Sequence, residues 1–270
     1  ATKGGSGWQA PSQVDMDDLS PHAGDVPAPS FHCFATCKVG GQNAFKNEMA
    51  VLRPGWRPAF SRPGFVSFKV PAALDPGFPL DSIFALTHAV SWGTARLADA
   101  PARVAEALAV ITGPDKPKLH CWARSVSETR ESPNPLDPIA RALGTALMNS
   151  GGFAAESLAR DGDMVVDVLV IDADMVVFGC HRHDRGHSPY PGGHPPLVLP
   201  AEAPSRAWLK FEEAMLWHPK PILPGQIAVE IGSAPGGTAF ALLARGAKVI
   251  SIDPAAMDPQ LELHHIRKLA

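Results

Sequence analysis

The segment Gln226–Pro254, QIAVEIGSAPGGTAFALLARGAKVISIDP, constrains this chain more than any other. Ile227 to Ile231 is a short apolar run of the kind buried in a parallel sheet, and Gly232, Gly236 and Gly237 punctuate the turn after it. Thr238 to Arg245 has helical composition, Gly246 ends it, and Lys248 to Ile252 is a second apolar run stopping on Asp253. Strand, glycine turn, helix, strand and terminal acid predict one βαβ crossover between parallel strands.

Such a unit has a chemistry set by its backbone. Glycines allow a sharp turn and a close ligand approach, while an acid at the tip of the second strand can accept hydrogen bonds from both hydroxyls of a ribose. The pattern therefore predicts a nucleoside site. A dinucleotide fingerprint would read Gly-x-Gly-x-x-Gly, whereas this turn reads Gly232-Ser-Ala-Pro-Gly-Gly237. The middle glycine that admits a pyrophosphate is missing and Pro235 stiffens the loop, which favours S-adenosylmethionine, a ligand without phosphate, over NAD or FAD. The bland alternative is a βαβ turn that binds nothing.

Glu230-Ile-Gly-Ser-Ala-Pro-Gly-Gly237 followed by Ile252-Asp253 resembles the cofactor site of the FtsJ-like ribose 2'-O-methyltransferases, whose turn is typically Asp-Leu-Gly-x-x-Pro-Gly-Gly. Upstream, Pro204-Ser-Arg-Ala-Trp-Leu-Lys-Phe-Glu-Glu213 resembles the family's Ser-Arg-x-x-x-Lys-Leu-x-Glu helix. Within the family the RlmM type is most similar: it modifies a cytidine of large-subunit ribosomal RNA and has an RNA-binding region ahead of its methyltransferase domain. The resemblance implies an S-adenosylmethionine site formed by Ser205, Glu230, Gly232, Ser233, Ala234, Pro235, Gly236, Gly237, Thr238 and Asp253, with Lys210 as the first lysine of a Lys-Asp-Lys-Glu catalytic set. Arg206 is a candidate RNA phosphate contact. Glu230 replaces the more usual Asp, and Thr238 stands where many relatives have Trp.

The implied reaction is direct methyl transfer to a ribose hydroxyl, held in line while its proton is accepted. No position after Asp253 is assignable to the later Asp, Lys or Glu. The expectation is a fragment of a longer enzyme, in which Val229, Ile231, Val249 and Ile252 present apolar faces for further strands and helices. The alternative from another class is a non-catalytic RNA-binding module with a vestigial cofactor fold.

The remaining sequence predicts an α+β region. At 270 residues with 45% hydrophobic content, the chain accommodates one large or two ordinary domains. A net charge of −3 does not advertise nucleic-acid binding, although a local basic patch would suffice for it. Cys33, Cys37, Cys121 and Cys180 form no secreted disulfide framework, so reduced thiols and a cytoplasmic location are expected. No run is long and apolar enough for a membrane span, and no signal peptide is evident. Residues 1–30, rich in Gly, Pro, Ser and Asp, read as a flexible leader.

Residues 31–185 read as alternating short strands and helices, similar to the ferredoxin-like and THUMP-like halves ahead of RlmM-type catalytic domains. Strands are expected at Phe31–Cys37, Arg57–Phe60, Gly64–Val70, Ile83–Ser91, Lys118–Arg124, Met164–Ile171 and Asp174–His181, and helices at Asn43–Leu52, Pro101–Val110 and Pro138–Asn149. Residues 186–204 read as a proline-rich linker, and residues 205–270 as the start of a Rossmann-like methyltransferase domain whose helix Ser205–Trp217 buries Trp208, Phe211 and Met215. His181-Arg-His-Asp-Arg-Gly-His187 matches no zinc pattern, so no metal is assigned. The segment reads as a polar strand end, with Arg182, Arg185 and His187 as candidate contacts to RNA phosphate or to the cofactor-side loop.

Overall fold

The computed structural model describes residues 32–109, 115–127, 133–218, 220–262 and 267–269. The expected leader at 1–30 lies outside them, as do Phe31 and Val110, the last residue of the expected second helix. The chain divides into two compact units, Ala1–His194 and Pro195–Ala270.

The first unit is α+β, built on one mixed seven-stranded sheet in the order β2-β3-β1-β4-β7-β6-β5. Its elements are β1 (His32–Cys37), α1 (Gln42–Leu52), β2 (Arg57–Arg62), β3 (Phe65–Lys69), β4 (Ala85–Arg96), α2 (Ala100–Leu108), β5 (Lys118–Ala123), α3 (Asp137–Asn149), β6 (Met164–Val170) and β7 (Met175–Arg182). All pairings are antiparallel except β5 with β6, which α3 connects as a parallel crossover. Period-two alternation divides the apolar side chains between two faces. Phe45 and Met49 of α1 pack with Cys33, Ala35, Val66 and Phe68. Val104 of α2 and Leu143 and Leu147 of α3 pack with Val166, Val168, Val176 and Phe178. Phe34, Phe65, Ala89, Trp122, Leu169, Ile171 and Val177 form a separate cluster.

The hairpin at Asp172 forms because its Oδ1 accepts from the amides of Asp174 and Met175 at 3.1 and 2.9 Å. All four cysteines are free thiols. Burial pushes Cys33 up to about 12 and Cys37 up to about 11, leaving both protonated and unreactive at neutral pH.

Three expectations for this unit need correction. β4 runs on to Arg96 rather than stopping at Ser91, passing an irregularity between Ser91 and Gly93 where it pairs with β7. Residues 186–194, expected in the linker, belong to the first unit: His187, Ser188 and Gly192 are buried, and Gly192, at φ 66°, sits against the Trp122 indole with room for no side chain. The polar reading of 181–187 fails for its histidines, since His181, His183 and His187 are all buried, so His187 presents no ring to an RNA phosphate.

The second unit contains α4 (Ala207–Trp217), β8 (Ile227–Ile231), α5 (Gly237–Ala244), β9 (Lys248–Ile252), α6 (Pro259–Glu262) and β10 (Arg267–Leu269). Its sheet is parallel throughout, in the order β10-β9-β8. Ala239, Leu242, Val249, Met257 and Leu261 make its small core. The expected buried stripe on α4 is not realised: no residue of α4 is buried, and Phe211 packs partly on that core. Of the four β-strand residues expected to face outward, Val249 is buried and Ile252 half-buried, while Val229 and Ile231 are 59% and 82% exposed.

Gly179 faces β4 so closely that an added Cβ would lie 2.0 Å from the Val90 carbonyl oxygen. Because the obstruction is backbone, Gly179→Ala is expected to lower stability by about 3 kcal/mol, the upper part of the overpacking range, in urea unfolding followed by circular dichroism. A loss below about 0.5 kcal/mol would contradict this strand spacing.

Candidate functional site

β8 and β9 are parallel neighbours in the register Ile227↔Lys248 to Ile231↔Ile252, so their C-terminal ends lie side by side. That register brings the turn after β8 next to the acid after β9. Gly232 continues the ladder, its amide donating to the Ile252 carbonyl at 2.9 Å. Two residues on, the Ala234 amide donates to Asp253 Oδ2 at 2.8 Å, and Asp253 Oδ1 accepts from the Ala255 amide at 2.8 Å. The predicted acid therefore also builds the loop. Carboxylates have about four lone-pair directions, so amide acceptance and ribose recognition are compatible.

Glu230, the last polar residue of β8, accepts from the Ser233 hydroxyl through Oε2 at 2.7 Å. Ser233 is 3% exposed, and among the described residues no hydrogen bond reaches Glu230 Oε1. The extra methylene of Glu230 is thus held by a serine inside the turn, leaving one anionic oxygen to receive a cationic donor.

The loop glycines have different tasks. Gly232 has φ 76° and open space where a Cβ would project. An added Cβ on Gly236 would lie 2.2 Å from Leu261 Cδ1, and one on Gly237 would lie 2.3 Å from Ser205 Oγ. At those two positions the closely approaching groups are the protein's own, which sequence spacing alone had suggested would be a ligand. Pro235 is exposed, its carbonyl accepting from the Asp258 amide at 2.9 Å, and Thr238 is half-buried at the start of α5.

Ser205 precedes α4 and accepts weakly from the Ala207 amide at 3.3 Å. The contact with Gly237 places it beside the turn, as the motif order implied. α4 is fixed farther along by Arg245, which donates to both oxygens of Glu212 at 2.6 and 2.7 Å and lies 5.4 Å from the Phe211 ring centroid. That bidentate partner raises the Arg245 pKa. Lys210 and Arg206 are exposed on α4 and its leading turn. Arg182 and Arg185 are exposed residues of the first unit, with Arg182 donating to the Gly162 carbonyl at 3.3 Å.

Sequence reading missed His88, His120 and Asp167, which gather around the three histidines it did notice. Asp167 carried a signal, being the only charge in the apolar strand MVVDVLV. Among the described residues no group of three or more potential ligands is arranged to hold a metal ion, and no helix is long and apolar enough to cross a membrane.

No protein-family model matches the chain. It is similar in sequence to curated proteins named Ribosomal RNA large subunit methyltransferase M. The relative from Marinobacter nauticus is 36% identical over 144 residues, 48% of this chain and 37% of that protein. One from Xylella fastidiosa is 33% identical over 180 residues, 61% of this chain and 49% of that protein. The chain spans half or less of the length of these relatives. The resemblance drawn from the two motifs is thus matched by similarity to curated proteins of that name over 48–61% of this chain. Among solved structures, TrmN from Thermus thermophilus aligns over 88% of this chain and 72% of that chain at 16% identity, and its TM-score of 0.36 carries no weight for fold or function.

Removing the Asp253 carboxylate leaves the Ala234 and Ala255 amides without their acceptor. Asp253→Ala is expected to destabilise the second unit by about 1–3 kcal/mol with no ligand present, measured by hydrogen exchange through residues 232–255. Unchanged protection there would show that the turn holds its shape without the acid.

Proposed function

We propose that this chain carries the cofactor-holding part of an S-adenosylmethionine-dependent enzyme that methylates a ribose 2'-hydroxyl of large-subunit ribosomal RNA. The observation supporting this best is the hydrogen bond between Asp253 and the turn after β8, which sets a carboxylate beside an open glycine. Similarity to the named rRNA methyltransferases supports RNA as the substrate class.

In this reading Asp253 accepts the ribose hydroxyls of the adenosyl group, and Gly232, Ser233, Ala234 and Pro235 form the wall beneath it. Glu230 Oε1 receives the cationic amino group of the methionine part. Gly236 and Gly237 keep Leu261 and Ser205 close to the turn, and Thr238 borders the site at the helix start. When bound, the sulfonium supplies an electrophilic methyl group. The protein's task is then to hold the ribose oxygen in line with it and to accept the hydroxyl proton. Lys210 is assigned to orienting that hydroxyl. Arg206 in the second unit and Arg182 and Arg185 in the first are assigned to RNA phosphates, and the first unit serves as an RNA-binding, THUMP-like region in the cytoplasm.

Because Asp253 also shapes the turn, Glu230→Gln is the sharper probe: the amide oxygen can still accept from Ser233 while the anionic oxygen is lost. Calorimetric titrations are expected to show S-adenosylmethionine binding and NAD not binding. Glu230→Gln should weaken S-adenosylmethionine roughly 10- to 100-fold, as expected for a lost charge-assisted hydrogen bond. Binding of 5'-methylthioadenosine, which lacks the amino group, should be unaffected. RNA binding without any cofactor affinity would instead establish a non-catalytic RNA-binding module.

A further inference from the structure

The proposed methyl transfer leaves unused a cavity of about 570 Å³ in the first unit, at the C-terminal end of β5. It lies where a parallel strand hands the chain to its crossover helix, a position at which α/β sheets commonly take ligands. Trp122 and Ala123 line it from the end of β5, Val126 from the chain just beyond, and Asp137 and Arg141 from the start of α3. Four residues apart on a helix, Asp137 and Arg141 share a face, so an acceptor and a donor border the same space. Asn134 sets the start of that helix. Its Nδ2 donates to the Arg124 carbonyl at 2.8 Å, and its Oδ1 accepts from the Leu136 amide at 3.1 Å.

Beside the cavity, Arg124 joins two distant parts of the sheet. Its Nε donates to the Ile171 carbonyl at 2.5 Å and its Nη1 to the Pro63 carbonyl at 3.1 Å, bringing the β2–β3 turn to the end of β6. Gly64, at φ 77°, lets the turn come close: an added Cβ would lie 3.0 Å from the Ser125 carbonyl oxygen. The turn carries Arg62, which is exposed, its guanidinium carbon 4.4 Å from the Phe60 ring centroid. Burial, then the neighbouring Arg62, lowers the Arg124 pKa, while Asp172 acts against them. Both guanidiniums are cationic at neutral pH. Among the described residues neither forms an ion pair with a carboxylate.

We propose that this cavity takes one unpaired base of an RNA strand, with the adjoining phosphate held by Arg62 and Arg124. That role rests on the reading of this chain as acting on RNA. Charge decides which part of the nucleotide goes where: Asp137 repels a phosphate from the cavity, whereas the two neighbouring cations attract one beside it. A base is neutral, and the lining suits it, mixing the apolar Trp122, Ala123 and Val126 with the polar Asp137 and Arg141. A carboxylate acceptor selects adenine, cytosine or guanine, which carry an exocyclic amino group, over uracil, which presents a carbonyl oxygen in its place. Arg141 then donates to a ring nitrogen or carbonyl of the same base. A paired base is excluded, because its edge is already occupied and it is held in the stack.

Fluorescence anisotropy of the whole chain with labelled single strands of about eight nucleotides tests the proposal. Oligo(A) and oligo(C) are expected to bind about ten-fold tighter than oligo(U), as for one hydrogen bond to a charged group. They are also expected to bind at least about ten-fold tighter than a duplex of the same length. Asp137→Ala should abolish the preference over oligo(U). Arg62→Ala should weaken all single strands alike and flatten the slope of log affinity against log salt by about 0.7. Equal binding of the three single strands, a duplex bound as well as they are, a base preference that survives Asp137→Ala, or an unchanged salt slope in Arg62→Ala overturns the proposal. Absence of any RNA binding overturns the RNA reading with it, whereas RNA binding indifferent to these changes removes the role of the cavity alone. The wild-type comparisons decide by themselves if a variant does not fold.

Discussion

One short hydrogen bond, from the Ala234 amide to the Asp253 carboxylate, ties together everything argued for the second unit. It exists because β8 and β9 are parallel and in a register that ends both strands at the same level. Given that register, the turn after the first strand and the residue after the second are neighbours despite nineteen residues of separation. The carboxylate then meets an amide that helix geometry does not use, and the loop acquires a fixed shape before any ligand arrives. Preorganisation of this kind lowers the ordering cost of binding.

Around that bond the packing is economical. Gly236 and Gly237 have no side chain because Leu261 and Ser205 occupy the space, and the Arg245–Glu212 pair fixes α4 farther along. A motif that looks like a ligand cradle in sequence thus uses two of its glycines to pack the protein's own groups. In the proposed function the ligand is left to the rest of the turn, Gly232 to Pro235, with Glu230, Thr238 and Asp253. Ile227, Val229 and Ile231 give β8 an exposed apolar face.

The first unit follows a different logic. Its apolar layers are conventional, but the sheet buries Asp167 and five histidines where a hydrophobic cluster would cost less desolvation. Stacking and hydrogen bonding partly offset that cost. The remainder appears at His88 and His183, which burial pushes down to about 3 and about 4.

Local sequence determined the elements and the chemistry of the turn: period-two and helical patterns located the strands and helices to within a few residues, and the two motifs located Ser205, Glu230, the glycine loop and Asp253. Those signals are legible because neighbouring residues carry them. The burial of His187, the packing of residues 186–194 on the sheet, the exposure along α4 and the different tasks of Gly232 and Gly236 were decided by tertiary structure alone. His88 and His187 stand 99 residues apart in the chain, and no local pattern reports which distant ring a side chain will meet. The physical reason is that burial and hydrogen-bond partners belong to long-range packing, whereas periodicity and turn chemistry belong to the backbone of a few consecutive residues.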